Sequence, residues 1–106
     1  MHKLIVMYKR PENVEEFERA YQETHLPIVA QMPNLRGFEI NRIVGAPGTE
    51  PEYYLVAEFL FDTREALMEA MASDAGAEAA RNLNSFARGL FTMMFAETDD
   101  ATGGRA

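Results

Sequence analysis

A chain of 106 residues, 47% hydrophobic and 25% charged, has the size and make-up of one globular domain that buries its core without covalent staples. Its formal charge of −7 works against nucleic acid, since phosphate backbones are held by Lys and Arg patches. Zero cysteines exclude disulfides, thiolate zinc sites, iron–sulfur clusters and a thiol nucleophile.

The chain opens on KLIVMYK, Lys3 to Lys9, β-branched and aromatic and apolar at consecutive positions, which predicts a strand buried on both faces. No apolar run approaches the roughly 18 residues of a membrane span. The apolar start is too short, and too soon followed by Lys9 and Arg10, for a secretory signal. A cytoplasmic address with no membrane partner is expected.

RPEN turns the chain, and Asn13 with Glu16 three residues on predicts a capped helix start. Val14, Phe17, Tyr21, His25 and Ile28 follow at spacings of three and four, opposite a side rich in Glu, Arg and Gln. His25, one of two histidines, therefore shares the apolar face. Pro27 disfavours helical geometry at Leu26, so the helix is expected to end, kink or restart there and to free backbone groups from their partners.

PNL reads as a turn. RGFEINRIV then predicts a half-exposed strand with Phe38, Ile40 and Arg42 on one face and Glu39, Asn41 and Ile43 on the other. The Gly- and Pro-rich Gly45 to Glu52 predicts a surface hairpin loop. Tyr53 to Phe61 is the strongest strand, and it carries a lone carboxylate, Glu58. Asp62 with Glu65 predicts a second helix start, and a break is expected at Asp74 to Gly76, followed by AEAARNLNSFA. Gly89 to Glu97 returns as a strand. Residues 1–98 are expected to form one domain, and residues 99–106 a small polar disordered tail.

The order β-α-β-β-α-β is the split, ferredoxin-like α+β arrangement, an antiparallel sheet with helices on one face. Strands one, three and four are apolar on both sides, so the face away from the helices needs an apolar cover. A homodimer formed through that sheet face supplies it.

The segments KLIVMYKRPE, FERAYQETHLP, PNLRG, VAEFLFD and SDAGAEAARNLNSFARG resemble the EthD-like family of dimeric α+β barrel proteins, over Lys3 to about Glu97. Two positions depart from the family's pattern: Tyr21 stands where tryptophan is often found, and Asn82 where aspartate is frequent. The resemblance implies a face-to-face dimeric barrel and a pocket between sheet and helices facing a recurrent histidine, which maps onto His25. The founding members were named from the degradation of an ether fuel additive. Relatives of the barrel include lactone isomerases, cofactor-free monooxygenases acting on polycyclic phenols, and haem-binding enzymes.

The candidate site residues follow, each with an ordinary structural role beside the functional one. His25 is an acid/base group for a small apolar or cyclic carbonyl or phenolic compound, or it caps carbonyls freed before Pro27. Glu58 is a pocket carboxylate orienting His25, or it pairs with Arg36, Arg42 or Arg88. Tyr21, on His25's face, bonds a ligand or fills the core, and Tyr8 and Tyr54 lie where their hydroxyls reach water or a pocket mouth. Methionines such as Met68, Met71, Met93 and Met94 fill the core or line a pocket for a flat ligand. With no metal cluster, nucleotide loop or nucleophile–base pattern, the reading calls for no metal and no cofactor. Three uses remain: cofactor-free catalysis of isomerase, cyclase or monooxygenase type, non-catalytic binding with a structural His25, or haem held by His25 as axial ligand.

Overall fold

A computed structural model describes residues 1–99, and the tail expected beyond Thr98 lies almost wholly outside the described residues. Four antiparallel strands, β1 (His2–Tyr8), β2 (Gly37–Arg42), β3 (Leu55–Phe61) and β4 (Phe91–Glu97), are ordered β2-β3-β1-β4. The helices between them make this the ferredoxin-like order. Among the described residues no helix is long and apolar enough to cross a membrane.

Strand parity sorts the side chains. Leu4, Val6 and Tyr8 of β1 lie opposite Phe59, Ala57 and Leu55 of β3, and this set is buried under the helices. The alternate set, Lys3, Ile5 and Met7 opposite Leu60, Glu58 and Val56, forms the outer face and is half-buried. Met94 of β4 continues that face beside Ile5. Phe38, Ile40 and Arg42 of β2 share the helix side, as their alternation predicts. Not all the uncovered apolar surface is on the outer face, however. Phe38, Met93 and Phe95 belong to the helix side of the two edge strands and stay exposed, Phe95 by 58%, because the helices cover only the sheet's centre.

The first helical stretch runs α1 (Val14–Ala20), a π-helical turn (Tyr21–His25) and α2 (Leu26–Val29). Asn13 caps it by accepting from the Glu16 N–H at 3.0 Å. Pro27 does not end it, and Leu26 keeps helical angles. Proline lacks an N–H and its ring crowds the carbonyl four residues back. The wider turn just ahead, in which Leu26 N–H reaches Tyr21 C=O, makes that room, and Ala30 N–H to Leu26 C=O resumes the α pattern.

The second stretch is a pair, α3 (Arg64–Ala72) and α4 (Asp74–Phe86). Its first cap is Thr63, accepting from Ala66 N–H at 3.0 Å, rather than Asp62, which faces Arg36 at 3.6 Å. The break falls at Ser73, so Asp74 to Gly76 opens a helix instead of interrupting one. Ser73 Oγ donates to Ala70 C=O and accepts from Gly76 N–H, which holds the two helices at their junction.

One polar cluster ties α1 to the sheet edge. Glu18 accepts two bonds from Arg42, at 2.7 and 2.9 Å, and further bonds from Gln22 and the Tyr54 hydroxyl. The Arg42 bonds above all lower its pKa from 4.5 to about 2. A folded value below the unfolded one means that Glu18 contributes its stability above pH 4.5 and loses it as pH falls towards about 2. In acid denaturation, Glu18→Gln should flatten the fall in stability across that window; an unchanged slope would show that the cluster contributes nothing.

Candidate functional site

The helices meet the sheet over an aromatic column. Phe17 stacks on Tyr21 with ring centroids 5.7 Å apart, and Tyr21 stacks on His25 at 5.5 Å. Phe86 of α4 packs 5.5 Å from both the Phe17 and His25 rings, and Tyr8 stands edge-on to Tyr21 at 5.5 Å.

His25 is 4% exposed and, among the described residues, is the one buried polar residue in a core otherwise apolar by residue type. Its one hydrogen bond joins Nδ1 to Asn82 Oδ1 on α4 at 3.0 Å. A carbonyl oxygen can only accept, so Nδ1 carries the hydrogen and Nε2 carries the lone pair. Among the described residues Nε2 has no hydrogen-bond partner, and the Tyr21 hydroxyl is the one fully enclosed side-chain polar atom without a well-formed hydrogen bond. The expected capping of helix carbonyls by His25 is replaced by this bond to Asn82. Burial lowers the His25 pKa below 6.5, and the Asn82 bond opposes that only in part. The resting imidazole is therefore neutral near pH 7.

Beside His25 lies a cavity of about 40 Å³ lined by Leu4, Val6 and Phe59 of the sheet, by Met32, Met71 and Met93, and by Tyr8 and small residues of α4. That volume holds about three waters. A ring enters only as the methionines move, which their unbranched chains allow. His25 and Tyr8 are the lining residues that carry a side-chain nitrogen or oxygen, and no carboxylate, Lys or Arg is among the lining residues. A haem macrocycle is larger than this space.

The five candidates thus separate. His25, Tyr21 and Tyr8 come together. Tyr54 is packed against Phe17 at 6.0 Å, but its hydroxyl goes to Glu18 and its ring lies under Arg10, away from the cavity. Glu58 is on the opposite side of the sheet and cannot orient His25. It pairs with Lys3 at 2.8 Å, not with Arg36, Arg42 or Arg88, because register sets Lys3 and Glu58 on neighbouring strands of one face. Asn82, read from sequence only as a missing charge, is the residue that holds His25. The signal available was its place four residues before Phe86 on a helix whose apolar face meets the column.

The family model described as the EthD domain matches residues 9–87. The chain belongs to the EthD family. An uncharacterized 11.0 kDa protein from the thcB-thcC intergenic region of Rhodococcus erythropolis is 30% identical over 102 residues, covering 96% of this chain and 97% of its own length. The crystal structure of an EthD family protein from Bacillus halodurans C-125 superposes with a TM-score of 0.90 at 37% identity, covering 93% of this chain and 99% of that one. More distant structures share the fold alone. A dimeric ferredoxin-like protein from Bacteroides fragilis has a TM-score of 0.63 at 19% identity, over 92% of this chain and 95% of that one. SnoaB, a cofactor-independent oxygenase from Streptomyces nogalater, has a TM-score of 0.68 at 14% identity, over 93% of each chain.

Proposed function

We propose that this EthD-family chain is a cytoplasmic homodimer whose cavity takes up a small apolar or cyclic carbonyl or phenolic molecule, with His25 as general base in a cofactor-free isomerase-, cyclase- or monooxygenase-type reaction. One observation carries the reading: an imidazole fixed through Nδ1 by Asn82 lines an apolar cavity and keeps a second ring nitrogen with no hydrogen-bond partner among the described residues. A base so placed accepts a proton without competition from bulk water. The fold is one that a cofactor-independent oxygenase also uses, although fold alone does not set the reaction. Dimerisation is supported by the dimeric ferredoxin-like neighbour and by the outer face, where Ile5, Met7, Val56, Leu60 and Met94 surround the Lys3–Glu58 pair.

A panel of lactones, quinones and polyketide-like phenols provides the test. For any compound turned over, His25→Gln should lower kcat by roughly a hundredfold or more while leaving the melting temperature near that of the wild type. The wild-type rate should fall only on the acid side of a pKa displaced below 6.5, since the base must be neutral. Undiminished turnover in His25→Gln would sink the catalytic reading. The Asn82 bond also suits a second reading, in which His25 is structural and the pocket only binds. In that case His25→Gln loses stability and keeps its ligand.

A further inference from the structure

The two polar groups at the cavity are chemically unlike. Nε2 of His25 is an acceptor, whereas Tyr8, at the end of β1, brings a phenol to the lining whose hydroxyl has that of Tyr21 as its polar neighbour. Behind Tyr8 stands Tyr21, wholly buried, whose hydroxyl interacts with that of Tyr8 but makes no well-formed hydrogen bond among the described residues. A buried hydroxyl left unpaired costs about 1–3 kcal/mol, so its persistence beside a pocket group calls for a use.

We infer that Tyr8 is a ligand-binding donor backed by Tyr21, and that the pocket takes neutral cyclic molecules bearing an acidic proton on, or next to, an oxygen: phenols and enolisable ketones or lactones. This rests on the reading of the cavity as a ligand site with His25 as base. The proton leaves the ligand for His25 Nε2, and the electron pair of the broken O–H or C–H bond remains on the ligand as phenolate or enolate. Tyr8 keeps its own proton and hydrogen-bonds the oxygen that becomes negative. Tyr21 in turn donates to the Tyr8 oxygen, tightening the contact that the two hydroxyls already make. An oxyanion beside the new imidazolium forms a net-neutral pair, the one charge arrangement that this apolar wall tolerates. Burial first, and for Tyr8 the neighbouring Tyr21, push both phenols up, so both remain donors throughout the neutral range.

The probe is 4-nitrophenol, whose phenolate has its own visible band, studied at a pH below the probe's own pKa. Binding is followed separately through the methyl NMR signals of Met32, Met71 and Met93. Wild type should bind the probe and develop the phenolate band. Tyr8→Phe should still perturb the methyl signals, with the bound phenolate-to-phenol ratio lowered about tenfold, and Tyr21→Phe should lower it by a smaller factor. On the wild type alone, 4-nitroanisole, which has no acidic proton, should bind about tenfold more weakly than 4-nitrophenol. An undiminished phenolate band in Tyr8→Phe, or equal binding of the two compounds to the wild type, would overturn the donor assignment and leave the pocket reading standing. A probe that neither moves the methyl signals nor develops the band in the wild type would overturn both.

Discussion

Val56→Glu should convert the proposed dimer to monomer or aggregate. Val56 lies on β3, an inner strand, and points to the outer face between Asn41 of β2 and Met7 of β1. If that face meets a second copy, the substitution buries two unpaired carboxylates per dimer, and each costs several kcal/mol. Every 1.4 kcal/mol is tenfold in affinity, so the dissociation constant should rise by roughly a thousandfold or more. Val44→Glu is the control, because Val44 is 99% exposed in the loop before β3 and should change nothing. Sedimentation at low micromolar concentration separates the outcomes: a 24 kDa species in Val56→Glu indistinguishable from wild type would remove the outer face from the interface.

The second large effect is expected at the junction of α3 and α4. A Cβ on Gly76 would stand 2.3 Å from the Ala70 carbonyl oxygen and 2.6 Å from that of Met71. Both are backbone atoms, fixed by α3, so no side chain can swing aside. Gly76→Ala has to push α4 away from α3 and strain the Ser73 bonds that join them. Such overpacking costs about 3 kcal/mol, which for a domain of this size lowers the melting temperature by roughly 10–20 °C. A loss below about 0.5 kcal/mol, the ordinary range of a surface change, would contradict the close approach.

Much of this was legible in the chain because it is local. Spacing put Phe17, Tyr21 and His25 on one face, and the strand order with its turn residues fixed the α+β plan. Where the reading failed, the deciding partner was distant. Asn82 is 57 residues from His25, and no periodicity links the two. Glu58 was isolated correctly as a charge in an apolar strand, but its partner Lys3 is 55 residues away and is chosen by strand register. Alternation does hold a clue that was missed: Glu58 lies between Ala57 and Phe59, both buried, and so must face the other way. The π turn is not legible in the sequence because Pro27 signals trouble in a helix without saying whether the chain will stop or widen. Asp62 and Thr63 are both cap-type residues one position apart, and the cap falls on Thr63, whose side chain accepts from Ala66 N–H.

The central claim is that His25 presents an unprotonated Nε2 to the cavity because Asn82 holds the hydrogen on Nδ1. Nitrogen NMR of the labelled imidazole, titrated across the neutral range in the wild-type protein, reads this directly. The account predicts Nδ1–H with a bare Nε2 at neutral pH, titrating below the ordinary histidine value, and an upward move of that titration in Asn82→Asp, where a carboxylate favours the charged ring. A ring found as the Nε2–H tautomer, or one already charged at neutral pH, would contradict it.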